Sequence, residues 1–156
     1  MTDRKTRTRL VLVDDDVDML RLLTKVIDGS FAEQIEIESL TDPNEARIRL
    51  QDGGVDILVT DLEMPGISGL ELLRCAKSRN ATTQVLLITG HSTRGALLNA
   101  LEFGATDYLL KPVDRTELVE LIQETLDRQQ RWRQALLGTW HSNRKKAELA
   151  LSTDET

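Results

Sequence analysis

Four short stretches of this 156-residue chain carry side chains that could act together: Asp14-Asp15-Asp16, Thr60-Asp61, Thr89-Gly90 and Lys111-Pro112. Taken singly, each has a plain reading. An Asp after an apolar run is commonly a helix cap or a turn former, and a lone Thr or Lys beside a sheet is commonly just solvated. Taken together they pose a charge problem. Carboxylates gathered without a counter-charge repel and raise one another's pKa, so a grouping of Asp14, Asp15 and Asp61 requires a cation. Oxygen donors with neither Cys nor His among them suit a hard divalent ion such as Mg2+ rather than zinc. A lysine beside that ion would be repelled unless an anion lay between them. A phosphoryl group is the simplest such anion, and Thr89 has a hydroxyl to donate to it.

For these stretches to meet, the chain must bring four segment ends to one place. Apolar runs rich in Val, Ile, Leu and Thr predict strands over 9–13, 34–39, 55–60, 84–89 and 106–109. Between them, helical periodicity predicts helices over 17–28, 43–51, 68–78 and 93–103, with a fifth opening after Asp114. Ser68 is a natural N-cap, Pro43 suits a first helical turn, Gly104 suits a C-terminal stop, and Asp114 with Glu117 has the spacing of a capping box. Strict alternation of strand and helix with short connections requires parallel strands, right-handed crossovers and helices on both faces of the sheet. The fold class is therefore a doubly wound α/β domain. The first, third and fourth strands are apolar on both faces, as interior strands are, whereas the second alternates (Gln34, Ile35, Glu36, Ile37, Glu38) and belongs at a margin. The order 2-1-3-4-5 satisfies both observations. It places a ligand site beyond the carboxyl ends of the first and third strands, where the four stretches lie.

Those residues, with their surroundings VLVDDD (11–16), LVTDLEMPGISGLELL (58–73), LLITGHS (86–92) and GATDYLLKP (104–112), closely resemble the receiver domain of two-component response regulators. The resemblance covers about residues 9–127. It implies a flavodoxin-like receiver fold in which Asp61 is the phosphoacceptor. Asp14, Asp15, Asp61 and the backbone carbonyl of Glu63 would hold Mg2+, while Asp16 matches a position that is often acidic. Thr89 and Tyr108 correspond to the switch hydroxyl and the switch aromatic, and Lys111 to the phosphoryl-binding lysine, ahead of a cis peptide at Pro112. Glu63 and His91, two residues beyond Asp61 and Thr89, would flank an attacking water and tune dephosphorylation. Gly90 stands where the family commonly has another small residue, often Ala. The implied partner is a histidine kinase or phosphotransfer protein that donates the phosphoryl group. The implied role is signalling rather than enzymatic turnover, apart from slow self-dephosphorylation, with an output surface formed by the fourth helix, fifth strand and fifth helix. The alternative is a Mg2+-dependent phosphohydrolase with an Asp nucleophile. That chemistry calls for a general acid two residues on, where Glu63 sits, but also for a cap insertion that these loops are too short to hold.

Length and composition agree with one domain: 40% hydrophobic residues suffice for a single core, and the 29% charged residues are dispersed. No apolar stretch approaches the roughly 20 residues of a membrane span, and the run Leu10 to Val13 is cut by Asp14 before it could serve as a signal core. The expected location is cytoplasmic, with no membrane partner. Cys75 cannot form an internal disulfide and reads as a packing residue. Charge is unevenly spread: residues 1–9 hold four basic side chains and one acid, residues 10–127 hold 10 and 22, residues 128–146 hold six and none, and residues 147–156 hold three acids. An acidic body disfavours nucleic acid. The expected division is a basic N-terminal tail (1–8), the receiver domain (9–127) and a C-terminal helical extension or linker (128–156). Within the extension, Ile122, Gln129, Leu136, Asn143 and Ala150 recur at seven-residue spacing with Trp132 and Trp140 near the same side. A dimerising helix, a linker to a missing output domain and a frayed tail are the three alternatives for it.

Overall fold

In the computed structural model, which describes residues 6–91 and 93–152, five strands alternate with five helices. The strands are β1 (Thr8–Val13), β2 (Ile35–Leu40), β3 (Ile57–Asp61), β4 (Gln84–Thr89) and β5 (Asp107–Leu110). The helices are α1 (Val17–Phe31), α2 (Pro43–Gln51), α3 (Gly69–Arg79), α4 (Arg94–Glu102) and α5 (Arg115–Ser152). All pairings are parallel and the strand order is β2-β1-β3-β4-β5, as the sequence pattern requires. The expected N-terminal tail falls largely on residues 1–5, outside the described residues, as do Ser92 and residues 153–156.

The period of two along the strands divides the core between the two faces of the sheet. Leu10, Leu12, Ile57, Val59, Leu86 and Ile88 pack with Leu20, Leu23 and Ile27 of α1 and Leu118, Ile122 and Leu126 of α5. Val11, Val13, Leu58, Val85 and Leu87 face the other way, against Ala46 and Leu50 of α2, Leu72, Leu73 and Ala76 of α3 and Ala100 of α4. A strand covered on both sides has no polar alternation to show, which is why β3 and β4 read as unbroken apolar runs.

Side-chain caps fix where the helices start. Asp16 accepts from the Asp18 and Met19 amides, Asp42 from Asn44, Ser68 from Glu71, Thr93 from Ala96 and Asp114 from Glu117. Gly104, with φ +91°, takes the left-handed conformation that ends α4. Boundaries differ from the sequence pattern where tertiary contact outweighs local signal. Gly29 and Ser30 suggest a stop, yet α1 continues to Phe31 because that ring is 4% exposed and holds the last turn in the core. β3 begins two residues later than expected and takes in Asp61. In the longest departure, α5 runs unbroken through Gly138 for 38 residues. No helix among the described residues is long and apolar enough to cross a membrane.

Candidate functional site

Strand register decides which side chains meet. Val13 pairs with Thr60, Asp61 with Ile88, and Thr89 with Leu110, so Asp14, Asp61, Thr89 and Lys111 emerge at one edge of the sheet. Backbone bonds lock the edge: Leu62 N–H donates to Ile88 O at 2.9 Å and Lys111 N–H to Thr89 O at 2.8 Å. The peptide between Lys111 and Pro112 is cis.

Asp14, Asp15 and Asp61 each offer a carboxylate oxygen, and these oxygens lie within 4.8 Å of one another. Asp14 and Asp61 are 1% and 6% exposed, whereas Asp15 faces solvent. Lys111 Nζ reaches both buried acids, 3.4 Å from Asp14 Oδ2 and 3.3 Å from Asp61 Oδ2. The remaining oxygens take backbone donors: Asp14 Oδ1 accepts from Asp16 N–H at 2.9 Å, and Asp61 Oδ1 from Glu63 N–H at 3.3 Å. Burial pushes the Asp14 carboxyl above its ordinary pKa and Asp61 adds to this, against the opposing pull of the Asp16 amide and Lys111. For Lys111, burial alone would lower the amine. Asp14 and Asp61 outweigh it and raise the pKa. Three acids facing one lysine leave the cluster short of positive charge. All of its donors are carboxylate oxygens, so the set fits Mg2+ and offers no thiolate or imidazole for zinc.

Thr89 adds a second feature at this edge. Its hydroxyl is fully buried and has no hydrogen-bond partner, an arrangement that costs about 1–3 kcal/mol unless a ligand or water answers it. Other predicted residues lie outside this tight group. Glu63 and His91 are exposed. Tyr108 is 47% exposed and lines a cavity of about 340 Å³ with Leu87, Leu97, Ala100 and Leu101 between β5 and α4. Asp16, acidic but assigned no role by sequence, is the N-cap of α1. Cys75 is half-buried with its thiol pKa raised by burial, which outweighs Arg47.

One functional position escaped the sequence reading as anything but a motif letter. A Cβ on Gly69 would collide with the backbone carbonyl of Asp61 and lie 2.8 Å from Leu62 Cα, and Gly69 N–H donates to Leu62 O at 2.9 Å. Gly69 therefore sets the backbone under Asp61. Gly69→Ala is expected to destabilise by about 1–3 kcal/mol, as overpacking does. It is also expected to slow any chemistry at Asp61, because the main chain must move. Thermal unfolding and phosphorylation rate measured together test this; a variant unchanged in both removes the constraint.

Comparison with known proteins agrees with the geometry. The family model described as the response regulator receiver domain matches residues 10–123. The phosphoglycerate transport system transcriptional regulatory protein PgtA of Salmonella typhimurium is 34% identical over 117 residues, 75% of this chain and 28% of that protein. The response regulator protein PilR of Pseudomonas aeruginosa is 32% identical over 121 residues, 78% of this chain and 26% of that protein. The chain thus spans roughly a quarter of the length of the curated relatives it matches. Among solved structures, a CheY-like receiver domain protein from Methanospirillum hungatei superposes with a TM-score of 0.75 at 26% identity, covering 81% of this chain and 98% of that one. These matches favour a signalling phosphoacceptor over a phosphohydrolase. Strand order, acidic edge and family match converge, and the chain belongs to the response regulator receiver domain family.

Proposed function

We propose that the protein accepts a phosphoryl group on Asp61 from the phosphohistidine of a histidine kinase or phosphotransfer protein and uses it to switch a binding surface. The observation that carries this reading is the buried Asp61 carboxylate at the centre of an acid cluster, 3.3 Å from Lys111 Nζ, beside a buried Thr89 hydroxyl with no partner. A carboxylate oxygen of Asp61 forms the new P–O bond while the donor's P–N bond breaks and the imidazole keeps the electron pair. Asp14, Asp15, Asp61 and the Glu63 carbonyl would hold Mg2+, which supplies charge neutralisation at the transferred group. Lys111 then exchanges carboxylate contacts for phosphoryl oxygens, and the Thr89 hydroxyl gains the acceptor it lacks. Movement of Thr89 toward the phosphoryl group opens space for Tyr108, now half exposed, to turn inward and reshape the α4–β5–α5 surface. In this reading residues 9–127 are the receiver, residues 1–8 a basic tail and residues 128–156 a C-terminal helical extension or linker, in a cytoplasmic protein.

Incubation with a small acyl phosphate and Mg2+, followed by intact-mass analysis, tests the reading. One phosphoryl adduct per chain is expected, and none without Mg2+. Sustained release of phosphate from a general phosphomonoester would instead support the hydrolase. Glu63→Ala and His91→Ala are each expected to change the lifetime of the adduct several-fold, since both side chains are exposed and, by the resemblance to the family, would flank the path of an attacking water. Unchanged decay in both would remove them from the chemistry.

A further inference from the structure

The amino edge of the sheet, opposite the Asp61 cluster, carries a cavity of about 460 Å³ lined by Lys77, Thr82, Gln84, Thr106, Arg128 and Trp132. Gln84 and Thr89 are the two ends of β4, so about 16 Å of strand separates this cavity from the site already described. Its walls come from three parts of the chain: the last turn of α3 with the loop into β4, the residue ahead of β5, and α5 just past its contact with the sheet.

The uncharged polar groups of these walls answer one another. Gln84, 5% exposed, donates from Nε2 to Thr82 O at 3.0 Å and accepts at Oε1 from the Thr106 hydroxyl at 3.1 Å. That hydroxyl accepts from Val85 N–H at 3.1 Å, and Thr82 Oγ1 donates to Asn80 Oδ1 at 2.8 Å. What is left unanswered is positive charge. Lys77 is half-buried, and its three-proton amine donates to one acceptor, Ala81 O at 3.2 Å. Burial pushes that amine below its ordinary pKa, and no carboxylate opposes the shift. Arg128, also half-buried, has no hydrogen bond, ion pair or ring contact among the described residues. No acidic side chain among the described residues lines the cavity, in a receiver whose residues 10–127 hold 22 acids against 10 bases. Two half-buried cations without a counter-charge carry a desolvation cost that a bound anion offsets.

Trp132 narrows the class of anion. It stands four residues beyond Arg128 on the same helix face, so the indole, 54% exposed, flanks the guanidinium at the cavity rim. A flat ring can lie against the indole while an attached anionic group reaches the two cations. The volume falls within the range of small-molecule sites, and a flat lipid surface cannot enter a concavity.

We propose that this cavity binds a small anion carrying a flat ring, with Lys77 and Arg128 on the charge and Trp132 on the ring. The test uses the full chain without Mg2+ in a Trp140→Phe background, which leaves Trp132 as the single tryptophan. The probes are AMP and benzoate, an aromatic phosphate and an aromatic carboxylate. Saturable change of Trp132 fluorescence is expected with at least one of them, with a Kd below about 1 mM. The uncharged counterparts adenosine and benzamide, and inorganic phosphate, which lacks the ring, are each expected to bind about fivefold more weakly or worse. Lys77→Gln and Arg128→Gln are each expected to weaken the bound probe by about fivefold or more. Arg128→Lys, which keeps the charge, is expected to lose less than Arg128→Gln, and Lys25→Gln on the exposed side of α1 to lose nothing. Circular dichroism is expected to be the same for all four variants, since neither cation holds a core contact. Saturation by neither probe, an uncharged counterpart binding as tightly as its anion, or a loss in either glutamine variant no greater than in Lys25→Gln would each overturn the proposal.

Discussion

Asp61→Asn is expected to abolish the uptake of acid-labile phosphate from a small phosphodonor in the presence of Mg2+, a loss of at least a hundredfold in rate. Asp14 is the more enclosed of the two buried acids, at 1% against 6% exposed for Asp61, and is the less able to reach a phosphodonor. Asp15 is exposed but contacts neither Lys111 nor the buried end of β4 in any hydrogen bond or ion pair among the described residues. Asp61 alone combines a position at the centre, a lysine at 3.3 Å and the neighbouring Thr89 hydroxyl. Asn keeps the shape and an acceptor oxygen for Lys111 while removing the nucleophilic charge, so folding should survive. Asp15→Ala, by contrast, is expected to weaken Mg2+ binding and slow labelling without abolishing it. It should leave the metal-free melting temperature unchanged or higher, because it relieves like-charge repulsion. Intact-mass measurement of both variants decides the matter: an adduct persisting on Asp61→Asn would move the acceptor elsewhere.

The sheet was legible because each strand's environment is written in its own residues. Polar alternation over 34–38 could only be a margin, and unbroken apolar runs over 57–59 and 85–88 could only be interior. The site followed from the sheet, since order and direction brought Asp14, Asp61, Thr89 and Lys111 to one edge before any distance was known. What local pattern could not convey was long-range contact. Gly29-Ser30 looks like a helix end until Phe31 finds its place in the core. Gln129 looks like a polar interruption in a seven-residue series, yet it is 6% exposed with its amide donating to Asp56 Oδ1 at 3.2 Å. Asp56 in turn accepts from Arg9 N–H at 2.9 Å, so this small network ties α5 to the amino edge of the sheet. Ile122 and Gln129 therefore belong to the receiver's own packing, and only Leu136, Asn143 and Ala150 of that series lie on the protruding helix.

Lys111→Met is expected to destabilise the metal-free protein by about 2 kcal/mol near neutral pH, less than the roughly 3–5 kcal/mol of breaking a fully buried pair because the lysine side chain is 23% exposed. The methionine replaces most of the stem's volume, so the loss reports the charge. Asp14, raised above its ordinary pKa, gives a contribution that is present below that ordinary value and fades as pH rises through the raised one. Without Lys111 to hold it down, Asp14 titrates higher still, and the variant's loss of stability on raising pH extends further. The contribution of Lys111 itself, whose pKa is also raised, persists throughout the range below the ordinary lysine value and disappears only as pH climbs past the raised one. The gap between wild type and variant should therefore be widest near neutrality, narrow as Asp14 protonates on acidification, and narrow again in strong alkali. Mg2+ should close most of it, because a bound divalent ion stabilises the folded state by mass action and satisfies the same carboxylates. Since lysine and metal compete for that charge, the variant should also bind Mg2+ several-fold more tightly. Unfolding curves across pH, with and without Mg2+, give the answer. A stability loss indifferent to both would mean that Lys111 serves this edge through the packing of its stem and not through its charge.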